Sequence, residues 1–413
     1  MPLQVSVCII VKNEATCLAK CLSSVEAIAA ELIVVDTGSS DESVAIAKTY
    51  TPKVYSYQWH DDFAAARNFA IEHASCEWIL FIDADETLSF DKQILNISPS
   101  KNTGGYVFAR EDQYIDLESG KEDAYIVGVV RLFRNVTSIR YQYSIHEEVH
   151  SSIIAAGYAI EVTDALFLHH QVKALTADQL HKKQSNYLDM MDQALTDRPD
   201  DPWLLYHRAK TYWFFGNTEA AYAVFHRVTS LAEDHYLLAA AWNQLATLHM
   251  NQGSFDQALS LLSNSLELVS NQSVGYVILH DILFQQEKYE EAQKALQQVK
   301  TNLEDTTWSD VIAGDFYHHP NLVRYKKGCL YMAMGDIEKG LRVLELGTLP
   351  AKNSDKSPQS HQSDCLYALA LYHAKAGNET KAHTLIKECL TIDPGWLQAQ
   401  VLAEYLSDKS ASP

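Results

Sequence analysis

The stretch "WILFIDADET" (Trp78 to Thr87) runs five apolar residues straight into Asp83, Asp85 and Glu86. Its apolar part has the make-up of a buried strand, so the acids fall at a strand tip. In an extended segment residues i and i+2 face the same way, and Asp83 and Asp85 therefore point at one ligand. Two neighbouring carboxylates repel, and an isolated pair would protonate one partner. A hard divalent cation removes that penalty. Mg²⁺ or Mn²⁺ suits oxygen donors and keeps positions open for phosphate oxygens.

Short β-rich runs alternate with helical ones from residue 3 to about 90. "VSVCIIV" (5–11), "ELIVVD" (31–36), "KVYSYQW" (53–59) and "EWILFID" (77–83) read as strands. Helices are expected from near Glu14, after "TGSSDES" through Ile46, and in "DDFAAARNFAIEHA" (61–74). This order predicts an α/β domain with a mainly parallel, Rossmann-like sheet and helices on both faces. Ligands in such sheets sit beyond the carboxyl ends of the strands, where Asp36 and Asp83 end the second and fourth runs. Between about 90 and 172, "GGYVFAR", "DAYIVGVVRLFRN" and "IEVTDALFLHH" predict a mixed extension of the sheet.

After about residue 175 the pattern turns helical, with a recurring Gly-x4-Ala. It occurs at Gly216/Ala221, Gly253/Ala258 and Gly377/Ala382, with looser copies at Glu287/Ala292 and Gly335/Gly340. The spacings of 37, 34, 48 and 42 residues scatter around the tetratricopeptide period of about 34. They predict an all-α solenoid over 176–413 behind a sheet domain over 1–175, with insertions at 307–320 and 348–362. The helical half is expected to hold a peptide or pair two chains as a homodimer, and to contribute no catalytic group.

Bulk properties exclude several classes. The 413 residues carry a formal charge of −20, which argues against nucleic acid or an anionic membrane as the main partner. No apolar run of about 18 residues predicts a transmembrane segment. The opening "MPLQVSVCIIVKNE" lacks a basic lead and a cleavage site, and reads as a first strand rather than a signal peptide. Seven cysteines without a CxxC pair suggest reduced thiols and a cytoplasmic location.

Further side chains frame the strand tips. Asp36 is placed to accept from a ribose or a base edge, and Asp41 either joins it or caps the next helix together with Ser39 and Ser40. Arg67 and Asn68 lie on the helix ahead of the acidic strand, where Arg67 can neutralise a carboxylate or a phosphate. Neither GxxxxGK[ST] nor GxGxxG occurs, so no glycine-rich cradle holds the phosphates.

Taken together, "VSVCIIVKNEATCLAKCLSSV", "ELIVVDTGSSDES", "WHDDFAAARNFA" and "WILFIDADE" resemble the family-2 glycosyltransferases of the GT-A fold. "RLFRN", "YSIHEEVHSSI", "LFLHHQV" and the repeats resemble the subgroup of sublancin-type peptide S-glycosyltransferases and lipopolysaccharide-core glucosyltransferases. The resemblance implies that Asp36 holds the base or ribose and that Asp83 and Asp85 bind the donor diphosphate through the metal. It implies a metal histidine at His169, with His170 as second choice; the usual His-Tyr-Gly-Tyr is replaced here by His169-His170-Gln171-Val172. A base is expected in "HEEV": Glu147, with His146 or Glu148 orienting it or the acceptor, and Asp112 in reserve. A one-step displacement would invert the anomeric carbon, and the absence of Gln-x-x-Arg-Trp favours a single transfer. The implied donor is a nucleotide sugar, UDP-glucose or a UDP-N-acetylhexosamine, and the acceptor a peptide, protein or glycan. The rival reading is a tetratricopeptide adaptor whose nucleotide-binding domain is inactive. Metal-dependent nucleotidyl transfer would want a glycine- and arginine-rich first loop, which "VCIIVKNEAT" does not provide.

Overall fold

Strands apolar on both faces suit a parallel sheet covered on each side. The computed structural model describes residues 3–92, 94, 99–116, 119–171, 176–301, 308, 318–349 and 361–411. It forms such strands as β1 (Val5–Val11), β2 (Glu31–Asp36), β3 (Val54–Ser56) and β4 (Trp78–Phe81). They pair in parallel in the order β3-β2-β1-β4, in a register that sets Val11 against Asp36 and Cys8 against Phe81. Helices α1 (Leu18–Val25), α2 (Ser43–Tyr50) and α3 (Phe63–Glu72) connect them. Asp62 caps α3 by accepting the Ala65 N–H at 2.8 Å.

The extension adds β5 (Glu86–Phe90), β6 (Thr103–Ile115), β7 (Glu122–Arg134) and β8 (Ala159–Gln171), and a short helix, α4 (His150–Ala155). The full order is β3-β2-β1-β4-β7-β6-β8-β5, with β7 antiparallel to β4 and β5 antiparallel to β8. The acidic stretch therefore does not end its sheet. It turns and re-enters as β5 at the far edge.

The chain divides into two compact units, one chiefly Met1–Arg110 with Val127–Leu245, the other chiefly Glu111–Ile126, Ala246–Thr306 and Asp315–Pro413. In the first, the sheet is followed by α5 (Ala177–Asp197), α6 (Pro202–Phe214) and α7 (Thr218–Leu231). In the second, the tip of the β6–β7 hairpin is bound to C-terminal helices. Lys121 Nζ meets Asp364 at 2.8 Å, and Leu397 N donates to the Ser119 carbonyl at 2.8 Å. The expected insertions at 307–320 and 348–362 fall largely outside the described residues.

All five repeat hinges share one helix-ending geometry. Gly216, Glu287 and Gly377 illustrate it: each has positive φ (72°, 59° and 76°), its N–H bonds three residues back, and the following N–H bonds five residues back. The partner alanines Ala221, Ala258, Ala292 and Ala382 are fully buried. The fourth copy has Gly340 instead, where a Cβ would overlap Met332 and lie 2.8 Å from the Gly328 carbonyl. Here the repeat needs glycine for close packing. Glu287 alone holds the left-handed hinge with a side chain, so Glu287→Gly should raise the stability of its unit by about 0.5–1 kcal/mol. Gly340→Ala should lower it by about 1–3 kcal/mol through overpacking. Thermal unfolding of the two variants beside the parent chain checks both signs.

Candidate active site

Burying a charged group is tolerated only when it is paired, and the strand tips meet that condition with arginines. Arg67, on α3, is 3% exposed. Its Nη2 lies 2.8 Å from Asp83 Oδ1 and 2.7 Å from Glu147 Oε1, and its Nε donates to Glu147 Oε1 at 2.7 Å. Arg131, on β7, lies 2.7 Å from Asp83 Oδ2 and 3.7 Å from the wholly buried Glu86, which Arg110 meets at 3.2 Å. Acids and arginines thus alternate from Arg110 to Glu147. Burial works against ionisation of Asp83, but Arg131, then Arg67 and Arg110, hold its carboxyl well below the usual range. Burial, then the Asp83 charge, pushes Glu86 the other way.

Both Asp83 oxygens are engaged by arginine. Asp85 is not so held; it is about 30% exposed, with His170 Nε2 3.4 Å from its Oδ2. The β5–β8 register decides which histidine arrives, because it pairs Glu86 with His170 and Thr87 with His169. His170 lines the same cavity as Asp83 and Asp85. His169 instead lies 3.1 Å from the Ser89 hydroxyl and 4.8 Å from the Phe167 ring. The structure brings the second histidine, rather than the first, beside the acids. Among the described residues no three His, Cys, Asp or Glu side chains gather closely enough to hold a metal alone.

Asp85 and His170 offer an oxygen and a nitrogen donor on one wall of a cavity of about 810 Å³ that Glu147, His146 and Tyr187 also line. Two protein donors fit an ion that takes its other ligands from phosphate and water. Glu147 Oε2 has no hydrogen-bond partner among the described residues, since Arg67 takes only Oε1.

Other expected site residues are placed differently. The Asp36 carboxylate accepts the N–H groups of Ser39 at 3.0 Å and Gly38 at 3.2 Å. Asp41 accepts from Ser43 and Ala15, each at 3.0 Å, stitching the loop after β1 to the start of α2. Asn68 exchanges two 2.9 Å hydrogen bonds with the backbone of Tyr141. Glu148 binds His150 at 2.8 Å and accepts the Ser151 N–H at 2.9 Å at the start of α4. Asp112 is buried on the part of β6 that belongs to the second unit. The side chains of Asp41, Asn68 and Glu148 hold backbone in place.

The cavity also has a wall that the acid motifs did not reveal. Lys183, Asn186, Tyr187, Asp189, Met190 and Gln193 of α5 line it. Their i, i+3, i+4 spacing marks one helix face, but polar residues at that spacing read as a solvated face in sequence. Burial, then the charges of Glu147, Asp83 and Asp85, raises the Tyr187 hydroxyl to about 12, so it remains a donor.

A profile of glycosyl transferase family 2 matches residues 6–106, the span holding the first strands and both motif acids. Residues 6–106 are a family-2 glycosyltransferase domain. A tetratricopeptide repeat profile matches 204–235, and the Fis1 C-terminal tetratricopeptide repeat matches 363–412. Among curated relatives of this glycosyltransferase-domain chain, a TPR repeat-containing protein of Synechococcus elongatus is 33% identical over 49% of this chain and 50% of its own. The lipopolysaccharide core biosynthesis glycosyltransferase LpsC of Rhizobium meliloti is 29% identical over 45% and 69%, respectively. The SPbeta prophage-derived glycosyltransferase SunS of Bacillus subtilis is 29% identical over 48% and 47%. The chain thus spans about half the length of the first and third of these. A solved tetratricopeptide repeat protein from Parabacteroides merdae has 13% identity and a TM-score of 0.41, covering 56% of this chain and 80% of its own.

Next to the glycosyltransferase domain's acids, His146 (φ 53°) stacks on His207 of α6, with ring centroids 3.9 Å apart and planes within 10°. Burial, then Lys210, lowers His146 to about 4; burial, then His146 and Lys210, lowers His207 as well. Both rings are therefore neutral at pH 7, whereas the unfolded chain takes up protons near its ordinary value of 6.5. The folded pKa values are depressed, so the stability they confer is present above about 6.5 and is lost as pH falls toward 4. His207→Phe keeps an aromatic face without an ionisable group and should flatten part of that slope. Unfolding midpoints between pH 7 and pH 4.5 measure it.

Proposed function

We propose that the chain is an inverting, divalent-metal-dependent glycosyltransferase that moves one sugar from a nucleotide donor to a peptide, protein or glycan. The donor is a UDP-hexose or UDP-N-acetylhexosamine. The observation that carries this reading is one cavity lined by Asp85, His170 and Glu147, whose Oε2 has no hydrogen-bond partner among the described residues. Residues 1–175 form the transferase domain and 176–413 the repeats, with α5 lending the cavity a wall.

Asp85 and His170 hold the Mg²⁺ or Mn²⁺ in this reading. A bound ion of this kind offsets negative charge on the departing diphosphate. Asp83, fixed by two arginines, orients the Asp85 turn and faces the donor. The loops after β1 and β2 take the nucleoside. Asn13 Oδ1 accepts from Ser40 N at 2.7 Å, and the Asp36 carboxylate shapes the Gly38–Ser39 turn between them. Glu147 Oε2 takes the acceptor proton as the acceptor atom bonds to the anomeric carbon and the bond to phosphate oxygen breaks. Displacement from the face opposite the leaving group inverts the centre. The repeats select the acceptor or pair two chains. A stripe of Leu397, Val401 and Tyr405 on the C-terminal helix, each at least half exposed, supports a partner there.

Nucleotide release from a panel of nucleotide sugars with Mn²⁺, read by mass spectrometry, tests the reaction. Glu147→Gln should keep UDP binding and lose transfer by about 10²- to 10⁴-fold. Asp85→Asn should lose metal-dependent UDP binding and transfer together. If no donor in the panel is consumed by the parent chain, the adaptor reading replaces this one. A fully active Glu147→Gln variant would move the base elsewhere in the cavity.

A further inference from the structure

The loop that carries Glu147 is closed on itself. Gln142 and Glu148 exchange backbone hydrogen bonds of 2.8 and 3.1 Å across it. Inside it, Tyr143 (φ 69°) and His146 (φ 53°) both sit in the left-handed region, which residues with side chains seldom occupy. Such conformations persist only where the surroundings over-determine them. Those surroundings come from the end of α5 and the start of α6. The Arg198 guanidinium lies 4.9 Å over the Tyr143 ring. The Trp203 indole N–H donates to the His146 carbonyl at 3.0 Å. The His207 ring covers that of His146 at 3.9 Å. Trp203 and His207 are four residues apart on α6, so one face of that helix supplies both.

We infer that Trp203 and His207 are positioning residues that lock His146 in its left-handed conformation and so aim Glu147 into the cavity. Glu147 follows His146 directly, and turning the backbone at 146 would swing its carboxylate off Arg67. Trp203 fixes the carbonyl and His207 fixes the ring, two independent restraints on one residue. The helix where the tetratricopeptide match begins is therefore a scaffold of the acid loop as well as a repeat element. The inference rests on Glu147 being the base only for its kinetic consequence. The restraint itself is legible without any activity.

The full chain tests it by hydrogen exchange over peptides spanning 140–149, beside calorimetric titration with UDP and Mn²⁺ and turnover on the donor that the panel identifies. Trp203→Phe removes the indole N–H but keeps a ring; His207→Leu removes the stacked ring; His207→Phe restores it. In Trp203→Phe and His207→Leu, exchange at the Gln142 and Glu148 amides should rise about tenfold or more. Their kcat should fall about tenfold, with donor KM within about twofold. His207→Phe should retain parent-like exchange and kcat. Unchanged exchange in both Trp203→Phe and His207→Leu overturns the inference, as does His207→Phe behaving like His207→Leu. If His207→Leu fails to fold, Trp203→Phe decides. If the parent chain consumes no nucleotide sugar, the exchange result still decides this inference, and the failure belongs to the transferase reading alone.

Discussion

Arg67 is the residue on which the site depends. Nearly all its surface is buried, and it lies 4.6 Å over the Phe81 ring and 5.3 Å over Tyr141. From that position it ties Asp83, at the end of β4, to Glu147, some sixty residues later in the chain. Two carboxylates that would otherwise repel are held at one cavity by the guanidinium between them. A buried ion network of this kind is weak evidence for stability, because desolvation offsets much of the attraction. Its worth lies in arrangement. Asp83 is kept ionised and occupied, Asp85 is left to His170, and Glu147 keeps one oxygen that Arg67 does not take.

That division of labour separates the acids of the motif in a way that spacing alone does not express. Extended geometry puts Asp83 and Asp85 on one side, and both do line the cavity. What differs is the company each keeps, and that is set by Arg67 on α3 and Arg131 on β7, neither adjacent in sequence. The loops after β1 and β2, by contrast, hold one another. Asn13, Asp36 and Asp41 spend their polar groups on backbone amides, giving the loops after β1 and β2 a fixed shape.

The parallel strands, the repeat hinges and the acids at strand tips were legible because each depends on local pattern: apolar runs, Gly-x4-Ala, carboxylates after a buried segment. The rest depends on register and on contacts distant in sequence. His170 displaces His169 because antiparallel pairing fixes which of two adjacent side chains shares a face with Glu86, and a one-residue slip reverses the answer. Asn68 reads as a ligand candidate until its partner, the Tyr141 backbone, is known. The strand β5 is hidden inside an acidic stretch. The α5 wall and the α6 residues beneath His146 carry no motif at all, since a polar helix face and a Trp-x-x-x-His spacing are equally at home in a repeat. The hinge at Glu287 shows the converse: the repeat pattern placed a left-handed turn there despite the wrong residue.

Arg67 organises Asp83 and Glu147 into one site, and a double-mutant cycle in metal-free buffer tests this. Unfolding of the sheet-containing unit would be followed for Arg67→Met, Glu147→Gln and the double variant. Arg67→Met should destabilise it by about 1–3 kcal/mol, because it leaves the partly buried Glu147 without its cation and Asp83 with Arg131 alone. Adding Glu147→Gln should recover part of that loss, giving a coupling energy above about 1 kcal/mol. An Arg67→Met loss below about 1 kcal/mol, with strictly additive effects, would contradict the claim.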